Sequence, residues 1–528
     1  DVAAVLGSLV DKSLVIAAPT PDGMRYRLLE TIHEYAAERA AERDAGPGTT
    51  AGAARRHAAH YLALAERAEP ILRTAAQLPW IRRLETELDN FRAALDHTIG
   101  AGATDPAAAE TAQRLALALG WFWWLRDYRR EAAQWTARVL ALGPTEPDPT
   151  GGSPAYWRLM RLQLLHTALF AYGRSSDEYT APITTRAGRL HEVFRRGGPE
   201  AVPFPGVLWP IVAFLAGGMA GLGAAIEEGI ANCRRHGGDW ELAAVLLFRT
   251  HNAVDTTGGL PTVDADLAEI EEIARRVGDR WMRSQVASVA GEIAFSRGLY
   301  ERAGSEYEEC LRLAREVGAH PEAPFALARI AESAFCQGDM DRAERLLAEA
   351  HRETEQYGGG PEIRAYGGML SALIALVRRD PAAARTHCDQ ARAAAAKTSA
   401  PSQLITGIDH VDAVLTGYEQ GAEVGLAKIG PTLAAAVTAH CAERVLASVT
   451  ESAAVLLEAA GRPAASVRAL AAATAWRAGH PRSVPEEGAV SGLPDRTRAS
   501  LGPERQLREE AVGTALSPSE VVALLSGS

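Results

Sequence analysis

Lysine is almost missing from this chain. It occurs only at Lys12, Lys397 and Lys428, so the 55 basic residues are nearly all arginine, set against 66 acidic ones. A net charge of −11 argues against a general nucleic-acid or membrane-surface binder, although a local basic patch can sit inside an acidic total. Cysteine is scarce as well. Cys233, Cys310, Cys336, Cys388 and Cys441 are scattered, with no C-x-x-C pair, and read as small buried residues in a reducing, cytoplasmic compartment. Aromatics make up 6% of a chain that is 47% hydrophobic; with so much alanine, this composition suits closely stacked helices. No signal peptide opens the chain, and its first residue is Asp rather than Met, as expected of a fragment. One uncharged run, Ala201 to Ile226, is long enough to span a bilayer. Pro203, Pro205, Pro210, Gly217, Gly218, Gly221 and Gly223 interrupt it, so it reads as a buried hairpin rather than a membrane span.

Catalytic patterns are missing too. A phosphate loop needs G-x-x-x-x-G-K-[ST], because bare backbone N–H groups must wrap the phosphates. The nearest approach, Gly7 to Ser13, has Asp11 where the second glycine belongs, and Asp11 would repel the anion. His57 and His60 share a helix face but have no third ligand at a telling offset, so they read as a packed or solvent-facing pair. No G-x-S-x-G or H-E-x-x-H occurs. Carboxylate-rich runs such as 265–276 read as solvated helix faces with acid–arginine pairs. The expectation is no catalytic site, no metal site and no cofactor in this chain.

What is present is a ladder of glycines with a step of twenty: Gly198, Gly218, Gly238, Gly258, Gly278, Gly298, Gly318, Gly338 and Gly358. The segments between them are rich in Ala, Leu, Glu and Arg. Glycine accepts the left-handed backbone that ends a helix, so fixed spacing marks fixed turns. Gly198, Gly238, Gly278 and Gly318 each follow an arginine by three residues, whereas Gly358 follows Glu355. The period is therefore forty, one helix hairpin per repeat, which is the signature of an α-solenoid. Small residues at Gly223, Ala303, Ala343, Gly291 and Ala331 mark places of close helix approach. Val263 and His251 are the exceptions. The repeat is a tetratricopeptide-like pattern stretched from about 34 residues to forty.

In chain order, residues 2–11 predict a short helix, 14–18 and 24–28 two strands joined by a turn, and 29–43 a second helix. Helix, hairpin, helix is the tail of a winged helix. The strings LVDKSLV and YRLLETIHEYAAERA resemble the winged-helix segment of bacterial STAND-class ATPase regulators, which include actinobacterial SARP-type proteins and large ATP-binding LuxR-type regulators. RRHAAHYLALAERAEP, WIRRLETELDNFRAAL, WFWWLRDYRREAAQW, SAAVLLEAAGRPAASVRAL and ALSPSEVVALL extend the likeness over most of the chain. The resemblance implies an upstream nucleotide-binding domain that holds ATP or ADP with Mg, followed by a winged helix and a tetratricopeptide sensor. In the wider class a Met-His-Asp string brings a phosphate-sensing histidine. Here Leu28, Leu29 and Glu30 take those places, which puts that contact in doubt. The domain expectation is a winged-helix tail over 1–44, helical connector over 53–142, tetratricopeptide-like solenoid over 155–400, and helical repeats with a cap over 401–528. After Gly358 the register weakens, and 478–503 reads as a Pro/Gly loop.

The winged-helix segment balances Lys12, Arg25, Arg27 and Arg39 against Asp11, Asp22, Glu30, Glu34 and Glu38, which is poor for counterion release on a duplex. DNA is therefore expected only through other domains, and no membrane is expected as partner. In tetratricopeptide arrays the first helix of each hairpin lines a groove. Counting back three and six from the inner glycines gives Asp255 and Asn252, Phe295 and Glu292, and Phe335 and Glu332. Acids and aromatics at one offset suit a basic or amphipathic segment; the alternative is that Phe295 and Phe335 are core. Trp240 and Trp281 read as packing between repeats. The functional expectation is the sensor and autoregulatory protein-interaction arm of a transcriptional regulator, one that controls secondary metabolism. Its partners would be its own nucleotide-binding domain and a peptide, protein or small-molecule effector in the groove. The alternative is a free-standing tetratricopeptide scaffold or peptide receptor.

Overall fold

A computed structural model describes residues 2–20, 23–43, 50–144, 151–171, 181–212, 221–357, 360–398 and 400–526. Helix Val2–Asp11 leads into antiparallel strands Val15–Thr20 and Gly23–Leu28, with Val15 opposite Leu28, and then helix Glu30–Arg43. This unit buries little. Val15 is covered, whereas Val2, Val5, Ile16, Met24, Tyr26 and Tyr35 are exposed. Arg25 ties it to the following helices through Glu87 at 2.9 Å, and Glu87 also accepts from Tyr61 and Asn90.

Helices Thr50–Ile71, Gln77–Thr86, Leu88–Gly102, Pro106–Leu125 and Arg129–Leu140 follow. The 106–125 helix starts where Asp105 accepts from the Ala107 amide at 2.9 Å and Pro106 supplies a first residue with no amide to satisfy. Its buried face carries Trp121, Phe122 and Trp123. Trp121 lies 4.9 Å from Trp240 and 4.8 Å from Trp281, ring centre to ring centre, both edge-on. The two tryptophans that were read as packing between repeats thus meet a third, which locks the N-terminal helices to the solenoid.

Helices Pro154–Ala171 and Ala181–Arg195 precede the uncharged run. The turn of the hairpin expected there lies outside the described residues, between helical residues 209–212 and the helix Leu222–His236. Pro199–Ala201 and Gly206–Leu208 form 3-10 turns that bury Val202, Phe204, Val207, Leu208 and Trp209. Gly217 and Gly218 lie outside the described residues. Among the described residues no helix is long and apolar enough to cross a membrane.

From Leu222–His236 onward the chain is a stack of helix pairs: Asp239–Val254 with Val263–Val277, Arg280–Ser296 with Tyr300–Val317, Ala323–Cys336 with Met340–Tyr357, Pro361–Val377 with Pro381–Ala395, Ser402–Gln420 with Ala422–Thr438, and Glu443–Ala459 with Pro463–Trp476. Among the described residues the fold is all-α apart from one β-hairpin, a tetratricopeptide-like α-solenoid. Gly278 and Gly318 end their helices in the left-handed region, and Gly298 and Gly338 turn there within hairpins. Gly238 departs from the ladder's logic: its φ of −94° and ψ of −179° are extended, and it stands at a helix start. Gly358 lies outside the described residues.

The hairpins continue where the sequence register weakens. Arg379 and His440 hold φ of 61° and 53° in places glycine would take, a strain of roughly 1–2 kcal/mol each that the packed neighbours offset. Close approach explains the small residues. A Cβ on Gly291 would stand 2.7 Å from the Tyr307 ring, and Ala303, Ala331 and Ala343 are fully buried. Gly223 meets open space, and Val263, expected as an exception, is buried.

The stack also curls back on itself. Thr256 forms an antiparallel bridge with Cys441. Thr257 donates its amide to the His440 carbonyl at 3.0 Å and its hydroxyl to the Cys441 carbonyl at 2.6 Å. The Gly258 amide donates to Glu443 Oε1 at 2.7 Å. The loop expected over 478–503 holds helices Val484–Val490 and Leu493–Leu501. Ser483 and Glu486 form a reciprocal capping box, and Pro485 and Pro494 fall in first turns, where proline starts a helix instead of breaking it. Helices Pro503–Thr514 and Pro518–Ser526 complete the chain.

Candidate functional site

Because the solenoid curls, the first helices of its hairpins face one another across a half-open cavity of about 750 Å³, with Tyr418 and Val484 exposed at its lining. Segment 483–490 lies along it, and Val484 comes so near the Gly338 turn that a Cβ there would sit 3.1 Å from Val484 Cγ1. Pro481 presses likewise on Gly298.

The cavity lining holds a polar network. Arg329 donates to Tyr307 Oη at 2.8 Å, to Tyr366 Oη at 2.9 Å and to Glu332 Oε2 at 2.8 Å, and the Tyr366 hydroxyl also donates to Glu332. Burial would pull the Arg329 guanidinium down, but the surrounding phenols and carboxylates hold it above its ordinary value. Burial pushes the Tyr307 and Tyr366 hydroxyls up. His251 Nδ1 is 2.8 Å from Glu292 Oε2. Burial opposes charge on both, yet the pair wins: His251 titrates above its usual value and Glu292 below. Asp255 and Glu362 are pushed up by burial. Glu451 accepts from Arg477 at 2.7 Å and Arg482 at 2.7 Å, and Arg477 also pairs with Glu486 at 3.0 Å. His410 Nε2 is 2.7 Å from Ser452 Oγ, and burial drops His410 to about 4, so it is neutral at pH 7. The same helices also bring apolar residues to the lining, Met369, Leu373, Val411, Val414, Val445 and Val484.

Of the six groove positions named from the sequence, Asp255, Glu292, Glu332 and Phe335 line this cavity. Phe295 is core, 1% exposed, lying beneath the guanidinium groups of Arg329 at 5.1 Å and Arg444 at 4.6 Å. Asn252 is half-buried outside the lining, and its carbonyl accepts from Thr256 Oγ1 at 2.6 Å. Two of the three acids are already matched by the chain's own cations, Glu292 by His251 and Glu332 by Arg329. Arg329, Tyr366, His410 and Arg444 were missed. Arg329 stands one turn before Glu332 and could have been found by extending the count back to nine. Arg444 could not, because it reaches Phe295 only through the curl. His57 lies 3.4 Å from Asn90 Oδ1, His60 is exposed, and no metal-ligand cluster occurs among the described residues. All five cysteines are buried and free.

No protein-family model matches the chain. It is similar to candidate HTH-type transcriptional regulators of Mycobacterium bovis and Mycobacterium tuberculosis, 28% identical over 322 residues, 60% of this chain. The match covers 33% of each relative, so the chain spans about a third of the length of the curated relatives it matches. Among solved structures it is similar to a Signal Transduction ATPase with Numerous Domains (STAND) protein with a tetratricopeptide repeat sensor from Pyrococcus horikoshii. The TM-score is 0.39 and the identity 11%, over 74% of this chain and 57% of that one. The Cut9–Hcn1 hetero-tetramer of the APC/C gives a TM-score of 0.35 and 10% identity, covering 83% of this chain and 86% of its own. At these scores neither structure carries an argument about function.

Proposed function

We propose that this chain is the effector-sensing, protein-interaction arm of a transcription regulator of the STAND ATPase class, one that governs secondary metabolism. The observation that carries the reading is the joining of the N-terminal helices to the solenoid through buried contacts. Asp279 accepts from Gln77 at 2.9 Å and from Trp240 at 2.7 Å, and Arg126 donates to the Val317 carbonyl at 3.0 Å. A change in the curl of the repeats would therefore be felt by the helices that follow the β-hairpin unit. The likeness to transcriptional regulators and the sequence resemblance support it. In this reading the helix, hairpin and helix over 2–43 is a winged-helix tail that meets a nucleotide-binding domain. ATP and Mg belong to that domain and DNA to a further one, and this chain catalyses nothing.

The test is to translate the coding DNA upstream of residue 1, express the nucleotide-binding domain found there, and measure its ATP turnover and assembly with and without this chain. Repression or a shift in assembly is the expected result. An unchanged domain, or no phosphate loop upstream, would count against the reading and favour a free-standing scaffold. A basic peptide in the groove is the less favoured occupant of such a scaffold, because Glu292 and Glu332 already hold internal cations.

A further inference from the structure

The carboxylates that line the cavity are either paired or have their charged form disfavoured by burial. Glu292 has His251, Glu332 has Arg329 and Tyr366, Glu451 has Arg477 and Arg482, and Glu486 has Arg477. Asp255 and Glu362 resist ionisation because burial disfavours their charged form. His410 is occupied by Ser452 and is uncharged at pH 7.

One cation is different. Arg444 opens the helix Glu443–Ala459 and lines the cavity. Its guanidinium carbon lies 4.6 Å from the centre of the Phe295 ring, and Glu332 and Glu486 act on its charge from a distance, yet it makes no hydrogen bond or ion pair with a described residue. A guanidinium carries five N–H donors that want planar acceptors. Stacking on a phenyl face satisfies its charge in part and its donors not at all. The lining also holds the aliphatic side chains of Met369, Leu373, Val411, Val414, Val445 and Val484. A pocket of about 750 Å³ falls within the range of small-molecule sites.

We propose that the half-open cavity inside the curl of the solenoid binds a small amphipathic organic acid, its anionic head on the Arg444 guanidinium and its apolar body against the aliphatic lining residues. The ligand would bridge the first half of the coil, through Phe295 beneath Arg444, and its last turns, through Val445 and Val484. Bound ligand would therefore hold the curl closed. This deepens the reading of the chain as an effector-sensing arm and rests on it for biological meaning. Binding itself does not depend on an ATPase, so the two can fail separately.

The test uses the whole chain and three fluorescent probes of matched bulk: 1-pyrenebutyrate, 1-pyrenebutanol and 1-pyrenebutylamine. Saturable one-to-one binding of the acid is expected, at least about tenfold tighter than the alcohol or the amine, the discrimination that a charge-assisted bidentate pair supplies. Arg444→Gln should erase that preference while the alcohol's affinity stays within about twofold, and Arg444→Lys should restore part of it. Val414→Trp, which fills the apolar side without touching a charge, should abolish binding of all three. If Arg444→Gln does not fold, the ranking of acid over amine on the native chain decides alone. Equal or tighter binding of the amine, no saturable binding of the acid, or an acid affinity unchanged in Arg444→Gln would overturn the proposal.

Discussion

Removing the Asp279 carboxylate should loosen the seam between the N-terminal helices and the solenoid while leaving distant repeats intact. Asp279 is 0% exposed and stands at the start of the helix Arg280–Ser296. One oxygen accepts from the Trp281 amide at 2.8 Å and from Gln77 Nε2 at 2.9 Å, the other from Trp240 Nε1 at 2.7 Å. Asp279→Ala loses an N-cap, a cost of about 1 kcal/mol. It also leaves the Trp240 indole N–H buried without an acceptor, at roughly 1–3 kcal/mol. Gln77 keeps the Leu72 carbonyl at 2.9 Å, so its loss is small. The total is about 2–4 kcal/mol, equivalent to roughly 30- to 1000-fold in a local opening equilibrium. Hydrogen exchange should report it as faster exchange over 72–80 and 279–283, with the last helices, Pro503–Thr514 and Pro518–Ser526, unchanged, because they pack on 463–476 and 422–438 rather than on the seam.

Asp279→Asn keeps an acceptor and removes a buried charge, so it should fall between the alanine variant and the native chain. A pH series separates the two effects. Burial raises the Asp279 pKa above 3.8, against the pull of its hydrogen bonds from Trp240 and Gln77. As pH rises from 3.8 toward the folded value, the unfolded chain therefore loses its proton first, and stability falls over that window. The asparagine variant should lack that slope. If the alanine variant protects the seam within about 0.5 kcal/mol of the native chain, an effect no larger than an ordinary surface change, the clamp argument is wrong. Equal losses in the alanine and asparagine variants would refute the assigned role of the acceptor.

Gly291→Val should lower the melting temperature through about 1–3 kcal/mol of overpacking, because even a Cβ there meets the Tyr307 ring at 2.7 Å. Gly304→Ala, whose Cβ would have Ser333 at 3.7 Å as its nearest neighbour, should stabilise by up to about 1 kcal/mol in the same melt. Arg329→Met strips the cation from Glu332 and a donor from Tyr307 and should cost about 3–5 kcal/mol in urea denaturation; a variant as stable as the native chain would contradict the buried network. The His251–Glu292 pair, faced also by Asp255 and Arg329, should contribute most between about pH 4.5 and 6.5. The raised His251 loses its contribution as pH climbs through its folded value, and the lowered Glu292 loses its own as pH falls through its folded value. The melting-temperature gap between the native chain and Glu292→Gln should accordingly be widest near pH 5.5 and narrow toward pH 8, and a gap that does not change with pH would oppose this.

Much of the local architecture was legible because it depends on neighbours in the sequence. The strands at 15–20 and 23–28, the helix after them, and the helix ends at Gly278 and Gly318 follow from alternation, periodicity and a residue without a Cβ. The loop assigned to 478–503 failed for an equally local reason: Pro485 and Pro494 were read as breakers when they occupy first turns, and Ser483 with Glu486 was an unread capping box. The weakening register after 358 misled for another reason. Arg379 and His440 adopt the turn without glycine, because packing on the preceding hairpin fixes a backbone that their own preference would not choose.

By itself the sequence determined the repeat: a helix pair every forty residues, and four positions that line the interior, Asp255, Glu292, Glu332 and Phe335. Each depends on spacing within one hairpin. Only the tertiary structure decided that the stack curls until Thr256 meets Cys441. The same curl turns an open groove into a cavity, spends Glu292 and Glu332 on His251 and Arg329, and brings Arg444 over Phe295 from 149 positions away. The curl is the accumulated small rotation of each hairpin on the next, a sum over many side-chain contacts that no single repeat contains.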